Sequence, residues 1–488
     1  MVDKNPNLAR KGTCLVARVP KRKAKANRAS RARLGAPDGR ITPRAGLHLV
    51  SKLDKLSGIS RAIDAAGAAI KSRRRGLSLG ELMVSLAETV LAGGDFFIDL
   101  DHQREDTAGL ALRAVPGVPA STTAIGLGKR FSAEVRASVE AANAALVKKA
   151  FGLLPESRRQ LLASQRPTID LGPADVEVYG RGKQGCAYNY AGQKCYRPHP
   201  AVWAGANIVL AAELGSGKPD PRPQAPRLIA RAIFALPDGL LRPIVRGDSG
   251  FFDAKVAWAA LENGADFAIA VKRNPAVWRA ERKIPEDAWQ KAIGMDAEVA
   301  GCGYVPAGWP PGTRTICRRV KLTADEVRTD ARSRRRRTID PDQLRLFEAG
   351  EAEVVYAYSF MITNLAGDVR QIEAWFRERA LVEETIKGSK YGAALRHMPS
   401  GYEAVNALWM WAALIGMNTS SWLQALTGHD KHKGRAHGKR LRRELLCVPA
   451  RVTSHAGEIW VHPAPEDAKG AFGAAWRSLD ALLAASSP

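Results

Sequence analysis

The spacing of apolar residues changes along the chain and divides it into regions. From residue 46 to 155 the apolar residues recur every three or four positions, as in SLGELMVSLAETVLAGG and FSAEVRASVEAANAALVKKAF. This is the period of an amphipathic helix, so the region is predicted to be a helical domain. Its basic side chains suit contacts with phosphate, which predicts a DNA-binding domain. Those side chains are Arg73, Arg74 and Arg75.

Short apolar segments replace the helical pattern between residues 156 and 274. RPTID ends in Asp170, LRPIVRGD ends in Asp248, and HPAVWAGANIVLAAEL and DFAIAV have the Val and Ile content of strands. The helical segments RLIARAIFAL and AKVAWAALENG lie between these strands. This order predicts an α/β or α+β sheet core, of which this region is the first part.

Residues 275–365 carry short strand candidates separated by a polar stretch. A structureless loop of that length is improbable inside a compact domain, so we predict a β-rich insertion. A long helix, QIEAWFRERALVEETIKGSK, and an apolar helix near 403–426 follow and are predicted to complete the core within 366–428. The most apolar stretch, 405–417, is about 13 residues long, too short to span a bilayer.

Charge points to the class of partner. The chain has 488 residues, with 74 Lys and Arg against 49 Asp and Glu, a net charge of +25. Such an excess attracts polyanions, and double-stranded DNA is the leading candidate. A membrane-surface protein or an incidentally basic protein are the alternatives. Residues 1–45 are predicted to be a basic flexible arm that either orders on DNA or stays a solvated tail, and residues 429–488 are a second basic region.

Cysteine usage and the N-terminus indicate the compartment. The six cysteines include no CxxC pair, which fits a reduced cytosol and gives no zinc signature. The first residues are charged and lack an apolar segment, so secretion is not expected. We expect a cytoplasmic protein.

Two of the predicted strands end in aspartate, at the edge of a sheet where functional sites usually gather. A lone strand-end aspartate is most often a turn or helix cap. Two strand-end aspartates together with a third carboxylate on a helix instead predict a site that binds two divalent ions. Such a site cleaves phosphodiester bonds. Mg²⁺ prefers oxygen ligands of this kind. The aspartates are Asp170 and Asp248, with Asp175 and Asp253 as substitutes.

The long helix supplies the candidate third carboxylate. At about 100° per residue, one face within about 80° holds an aromatic residue, a glutamate and basic residues. These are Phe376, Arg379, Glu383, Lys387 and Lys390. Glu384 lies off this face and is the substitute for Glu383. Such a face by itself is typical of a solvated surface with ion pairs; beside two strand-end aspartates it indicates a metal ligand flanked by phosphate-binding cations.

These motifs resemble a known group of proteins. Phe376, Arg379, Glu383 and Lys390 match the tyrosine, arginine, glutamate and lysine signature of bacterial insertion-sequence transposases, with phenylalanine in place of tyrosine. TIDLGPADVEVYGRGKQG, VRGDSGFF, MITNL and ERALVEETIKGSK resemble insertion sequence family 1380, also called DDE group 1. The resemblance extends from about residue 97 to about residue 420.

The resemblance implies an RNase H-like catalytic core, with a mixed five-stranded sheet interrupted by a β-rich insertion. It implies that Asp170, Asp248 and Glu383 are catalytic and bind two Mg²⁺ ions, for which Mn²⁺ can substitute. Arg379, Lys387 and Lys390 would contact DNA. The implied activity is cleavage at the inverted repeats of the element, followed by strand transfer into target DNA. A homodimer in the synaptic complex and association with the bacterial nucleoid are also implied.

Other functions remain as alternatives. One is an RNase H-like endonuclease without strand transfer, and another is a catalytically inactive relative that only binds DNA. A serine protease is disfavoured because the GDSG motif at 247–250 is followed by phenylalanine. The GSGK at 215–218 lacks the flanking residues of a phosphate-binding loop. The histidines of the basic C-terminal segment are predicted to be exposed or to face DNA; they are His429, His432 and His437.

Overall fold

The protein is described by a computed structural model that covers residues 33–66, 70, 76–189, 191–218, 220–328, 336–379 and 395–486. The chain divides into a short unit, Met1–Asp38, and a second unit, Gly39–Pro488, to which all the elements below belong. Several predicted site residues lie outside the described residues. They are Arg73, Arg74, Arg75, Glu383, Glu384, Lys387 and Lys390.

Helices fill the part of the second unit that precedes its large sheet. After a short strand, β1 (Ile41–Thr42), the helices are α1 Leu47–Ser57, α2 Ile59–Ala65, α3 Leu79–Ala92, α4 Asp99–Arg104, α5 Thr107–Leu110, α6 Ser121–Gly128, α7 Ala133–Leu153 and α8 Glu156–Ala163. The sequence predicts helices over this region, and its described secondary structure is helical, with the longest fully described non-helical connection at 111–120. The apolar side of α3 is buried almost throughout.

The next elements alternate between strands and helices. They are β2 Thr168–Leu171, β3 Val176–Glu177, β4 Ala187–Tyr188, β5 Lys194–Trp203, β6 Ile208–Ser216, α9 Ala225–Ala235, β7 Ile244–Gly247, α10 Ala254–Glu262 and β8 Asp266–Ala270. Strands β2, β7 and β8 are parallel, while β5 pairs antiparallel with β2 and β6. All residues of β2 and β7 are buried, because helices and loops cover both faces of parallel strands.

The following segment continues the same sheet. Its elements are α11 Pro275–Glu281, β9 Gln290–Lys291, β10 Glu298–Cys302, β11 Arg314–Leu322, α12 Ala324–Arg328, α13 Pro341–Glu348, β12 Val355–Thr363 and α14 Val369–Arg377. Strand β12 pairs antiparallel with β8, and β11, β10 and β9 follow in order. The sheet therefore has eleven strands among the described residues, where the sequence predicts a five-stranded core with a separate insertion. Pairing with β12 covers the edge that β8 would otherwise expose.

The C-terminal elements close the unit. They are α15 Glu403–Thr427, α16 Asp430–Lys433, α17 Gly438–Leu441, β13 Ala450–His455, β14 Glu458–Pro463, α18 Pro465–Lys469 and α19 Ala471–Ser486. Strands β1, β13 and β14 form a small antiparallel sheet. Helix α19 packs against α1 and α15, so much of the predicted basic C-terminal region is folded structure.

Helix α15 is the core helix that the apolar pattern predicts. It is buried along most of its 25 residues and packs against α3 and β6. Its Asn418 side chain accepts a hydrogen bond from the Val209 backbone N–H (2.8 Å) and donates to the Asn143 Oδ1 (2.9 Å). These bonds satisfy buried amides and fix α15 against β6 and α7. Among the described residues, no helix has both the length and the apolar character needed to cross a membrane.

A buried ion pair stabilises the helices before the sheet. The Arg113 Nη1 lies 2.9 Å from the Glu88 Oε2, and the two side chains are 1% and 0% exposed. Burial raises the pKa of Glu88 to about 7, although Arg113 opposes that shift. The carboxylate is therefore tolerated in the interior only because the guanidinium lies beside it.

We expect Arg113→Ala to lower the free energy of unfolding by about 3–5 kcal/mol, because it leaves a buried carboxylate without a partner. Arg104→Ala is the control, since Arg104 and Asp101 form an ion pair on the surface. Its expected cost is under about 1 kcal/mol. Urea unfolding of both variants measures the difference, and equal costs would contradict the role given to Arg113.

Candidate active site

A buried ion pair joins the two central parallel strands. In the ladder between β2 and β7, Asp170 lies opposite Arg246. The Arg246 Nε donates to the Asp170 Oδ1 (2.6 Å) and Nη2 donates to Oδ2 (2.9 Å). Asp170 is 0% exposed and Arg246 is 2% exposed. Both carboxylate oxygens therefore bond one guanidinium in the bidentate arrangement that gives such pairs their strength.

The same guanidinium holds α14 against the sheet. The Arg246 Nη1 donates to the Trp375 backbone carbonyl (2.7 Å), and its central carbon lies 4.9 Å from the centre of the Trp375 ring. Burial raises the pKa of Asp170, while Arg246 and, more weakly, Arg379 lower it. Asp170 thus depends on neighbouring cations for its charge.

Arg246 also accounts for the end of α14. The sequence predicts one uninterrupted helix through residue 390, but α14 ends at Arg377 and a turn follows. In a continuing helix the Trp375 carbonyl would accept from the N–H of Arg379. That carbonyl instead accepts from Arg246 (2.7 Å) and from the Glu378 N–H (3.2 Å), and the Arg379 N–H bonds the carbonyl of Phe376 (3.1 Å).

Asp248 lies at the end of β7 and differs from Asp170 in its surroundings. Its Oδ1 accepts from the Gly250 N–H (2.7 Å), and its Oδ2 lies 3.3 Å from the Arg379 Nη2. Its side chain is 36% exposed. Ser249–Phe251 forms a short 3-10 turn before α10, so the GDSG segment is the predicted turn from strand to helix. The Asp248 carboxylate is open to solvent and to a cation.

Arg379 connects the ends of β2 and β7. Besides Asp248, its Nη2 donates to the Leu171 backbone carbonyl (3.2 Å). Its Nε is buried and has no hydrogen-bond partner among the described residues. Of the predicted signature residues, Arg379 is therefore brought next to Asp248, while Glu383, Glu384, Lys387 and Lys390 lie outside the described residues.

The substitute aspartates have structural partners. Asp175 forms an ion pair with the Arg197 Nε (2.5 Å) and accepts from the Asn189 Nδ2 (3.0 Å). Asp253 caps α10 by accepting from the Lys255 N–H (2.8 Å). In the part of the chain that the structure describes, no group of three or more His, Cys, Asp or Glu side chains is arranged to hold a metal ion.

A cavity of about 330 Å³ lies next to Asp248. Its lining includes four arginines and one carboxylate, which are Arg273, Arg318, Arg377, Arg379 and Glu373. Glu373 is buried and forms ion pairs with two of these arginines, at 2.8 and 2.9 Å. The lining keeps a net positive charge, which suits a phosphate group. Sequence reasoning missed Arg273 and Arg318, because only the pairing of β11 with β12 and of β12 with β8 brings them here.

The remaining sequence motifs are accounted for without catalysis. Gly215 and Ser216 end strand β6, so the GSGK segment does not open a helix as a phosphate-binding loop would. The His429 Nε2 lies 3.0 Å from the Glu444 Oε2, and this ion pair gives His429 a structural partner.

Comparison with known proteins identifies a family and similar solved structures. The sequence profile of a family described as Transposase DDE domain group 1 matches residues 25–468. The cryo-EM structure of a piggyBac transposase synaptic complex with hairpin DNA is similar at 10% identity, over 82% of this chain and 78% of that chain, with a TM-score of 0.42. No curated protein matches the chain. The family match includes Asp170, Asp248 and Arg379.

We expect Arg246→Met to lower the free energy of unfolding by about 3–5 kcal/mol near neutral pH, because Asp170 is left charged and buried. A carboxyl group with a raised pKa in the folded state binds a proton more readily there, so stability falls as pH rises through that pKa. The cost should therefore be smaller near pH 5 than near pH 8. Urea unfolding at the two pH values measures it, and a cost independent of pH would contradict the charge of Asp170 as its cause.

Proposed function

Because the chain belongs to the family Transposase DDE domain group 1, we propose that it binds the ends of an insertion sequence, cleaves them and joins them to target DNA. The observation that supports this most directly is the position of Asp248. A solvent-accessible carboxylate at the end of a parallel strand lies beside a cavity lined by arginines. Cleavage of a phosphodiester requires both a metal-binding oxygen and cations that hold the phosphate.

The proposed cofactor is a pair of Mg²⁺ ions, held by Asp248, Glu383 and Asp170. Bound Mg²⁺ would supply an activated water and neutralise charge at phosphorus. Asp248 fits this role, because its oxygens are accessible. Asp170 fits only if Arg246 releases it, since both of its oxygens bond that guanidinium. Glu383 is proposed from the sequence signature alone.

The Asp170–Arg246 pair also favours a second candidate function. A relative that binds DNA without cutting it would keep the arginine-lined cavity. It would not need Asp170 to be free to bind metal, so the ion pair of Asp170 with Arg246 would not impair it. The buried bidentate pair is the observation that raises this candidate. It predicts salt-sensitive DNA binding without metal-dependent cleavage.

The finer features of the family are part of the same proposal. Five strands of mixed direction, in the order β6, β5, β2, β7, β8, support an RNase H-like core. We further propose membership of insertion sequence family 1380, DNA binding by helices α1–α8 and by Arg73, Arg74 and Arg75, and contacts of Lys387 and Lys390 with DNA. A homodimer on paired ends and action at the bacterial nucleoid complete the proposal.

Asp248→Ala should retain binding to end DNA and lose Mg²⁺-dependent nicking, because the only accessible carboxylate described at this site is removed. Nicking and binding of a labelled duplex that carries an element end measure the two effects. Asp253→Asn is the matched control, since Asp253 lies five residues away and caps α10. Undiminished nicking by Asp248→Ala would remove Asp248 from the site. If Asp253→Asn lost nicking while Asp248→Ala kept it, the role proposed for Asp248 would belong to Asp253.

Arg273→Gln should weaken binding of double-stranded DNA equally for end and unrelated sequences. Arg273 lines the cavity, and its guanidinium makes a hydrogen bond to the Tyr358 carbonyl (3.1 Å). Loss of one phosphate contact lowers the slope of log affinity against log salt by about 1. The control is Arg345→Gln on α13, because Arg345 is 77% exposed and lies outside the cavity lining. An unchanged salt slope for Arg273→Gln would exclude a phosphate at this cavity.

A further inference from the structure

The register of β2 and β7 determines which residues lie opposite each other at the strand ends. The last pair of their ladder is Leu171 with Gly247. Gly172 follows the end of β2 and Asp248 follows the end of β7, so extending this register by one step would place them side by side. Because side chains alternate between the two faces of a sheet, the extended register assigns both positions to the face that carries the Asp170–Arg246 pair. Position 172, just after β2, is then the nearest in register to Asp248 on that face.

Asp170 is poorly placed to share a metal ion with Asp248. Two oxygens on one Mg²⁺, each at about 2.1 Å, are at most about 4 Å apart. Asp170 lies one residue pair deeper on this face, which is about 7 Å along the strands. It is 0% exposed and bonds Arg246 through both oxygens. To act as a ligand, it would have to leave a buried guanidinium without a partner.

The charges on this face also speak against a divalent ion there. The carboxylates of Asp170 and Asp248 are balanced by the guanidinium groups of Arg246 and Arg379. Arg379 contacts both strand ends, through the Leu171 carbonyl and Asp248. A metal ion would therefore meet, among the described residues of this face, a neutral group of side chains that offers one accessible carboxylate. A carboxylate at position 172 would add a negative charge next to that carboxylate.

We infer that residue 172, at the end of β2, is the position from which a side chain can share a metal ion with Asp248, and that Gly172 leaves this position without a ligand. Asp170, to which the sequence signature gives a ligand role, is then instead a positioning residue, which orients Arg246. The inference deepens the proposed function and rests on it for the reaction, but metal affinity tests it directly. This chain should bind divalent ions weakly while it keeps its contacts with DNA.

Gly172 is buried, but its backbone conformation does not oppose the decisive substitution. Gly172 is not among the described glycines with a positive φ, so an L-amino acid is not excluded there by backbone conformation. Gly172→Asp supplies the carboxylate, and Gly172→Asn supplies nearly the same volume without the charge. Comparison of these two variants separates the effect of a metal-binding carboxylate from the effect of a larger side chain at position 172.

The first arm of the experiment measures Mn²⁺ binding to the full chain by isothermal titration calorimetry. We expect Gly172→Asp to bind Mn²⁺ at least about tenfold more tightly than the unsubstituted chain, because ligand charge governs the affinity of such sites. Gly172→Asn should show no gain, and Asp248→Ala added to Gly172→Asp should abolish it. Equal affinities of the unsubstituted chain, Gly172→Asp and Gly172→Asn would overturn the inference.

The second arm tests Asp170 and does not depend on the folding of the Gly172 variants. Asp170→Asn, which keeps the shape of the side chain, should leave Mn²⁺ affinity within about twofold of the unsubstituted chain while it lowers the melting temperature. A large loss of Mn²⁺ affinity in Asp170→Asn would instead make Asp170 the ligand and overturn the inference.

The reaction itself provides the last readout. With Mn²⁺ or Mg²⁺, nicking of end DNA should be at least about tenfold faster for Gly172→Asp than for Gly172→Asn. Salt-dependent binding of the same DNA should be equal for both variants. If neither the unsubstituted chain nor the variants bind end DNA, the proposed function fails, while the Mn²⁺ titrations still decide whether position 172 is the ligand position.

Discussion

The buried pair of Asp170 and Arg246 is the interaction on which the centre of the structure depends. It lies between two parallel strands whose residues are all buried, where an unpaired charge costs several kcal/mol. Both carboxylate oxygens of Asp170 accept hydrogen bonds from Arg246. The remaining nitrogen of the guanidinium, Nη1, donates to the carbonyl of Trp375. This one guanidinium thus links β7 to β2, through Asp170, and to α14, through Trp375.

The sequence predicts the parts of this arrangement that local pattern determines. The strand before Asp248, the turn after it and the buried helix α15 all carry short-range signals, and the structure has each of them. The sequence does not predict that Arg246, two residues before Asp248, is the partner of Asp170. That pairing depends on the register of two strands about 75 residues apart in the chain, and register has no local signature.

The lack of a local signature for strand pairing also explains why the sheet has eleven strands among the described residues, where a five-stranded core with a separate insertion is predicted. The sequence predicts strands β10, β11 and β12 but not the short β9, and a local pattern does not say which edge a strand joins. In the structure β12 covers β8 and the sheet continues without interruption. This brings Arg318 of β11 to the same cavity as Arg379. The cluster of arginines beside Asp248 is therefore a product of the tertiary fold.

Net charge by itself does not locate a DNA-binding surface in this protein. Many arginines are engaged within the fold; Arg319, for example, bonds Glu286 and Glu298 and lies between the rings of Trp289 and Tyr356. Such a guanidinium contributes to the long-range field but has little left to offer a phosphate. The cavity beside Asp248 differs because it groups four arginines around a single buried carboxylate.

Stability and catalysis place opposite demands on carboxylates at the centre of this sheet. The fold requires a deep carboxylate whose charge is fully compensated, which Asp170 provides. Metal chemistry requires carboxylates that are close to solvent, and among the residues of these buried strands such positions lie at the ends, where Asp248 is found. A strand end contributes little to the packing of the sheet, so a ligand can be lost there without a cost to the fold. Family membership, which reflects the whole fold, and the ability to bind metal, which depends on a few terminal positions, are therefore separable properties of this chain.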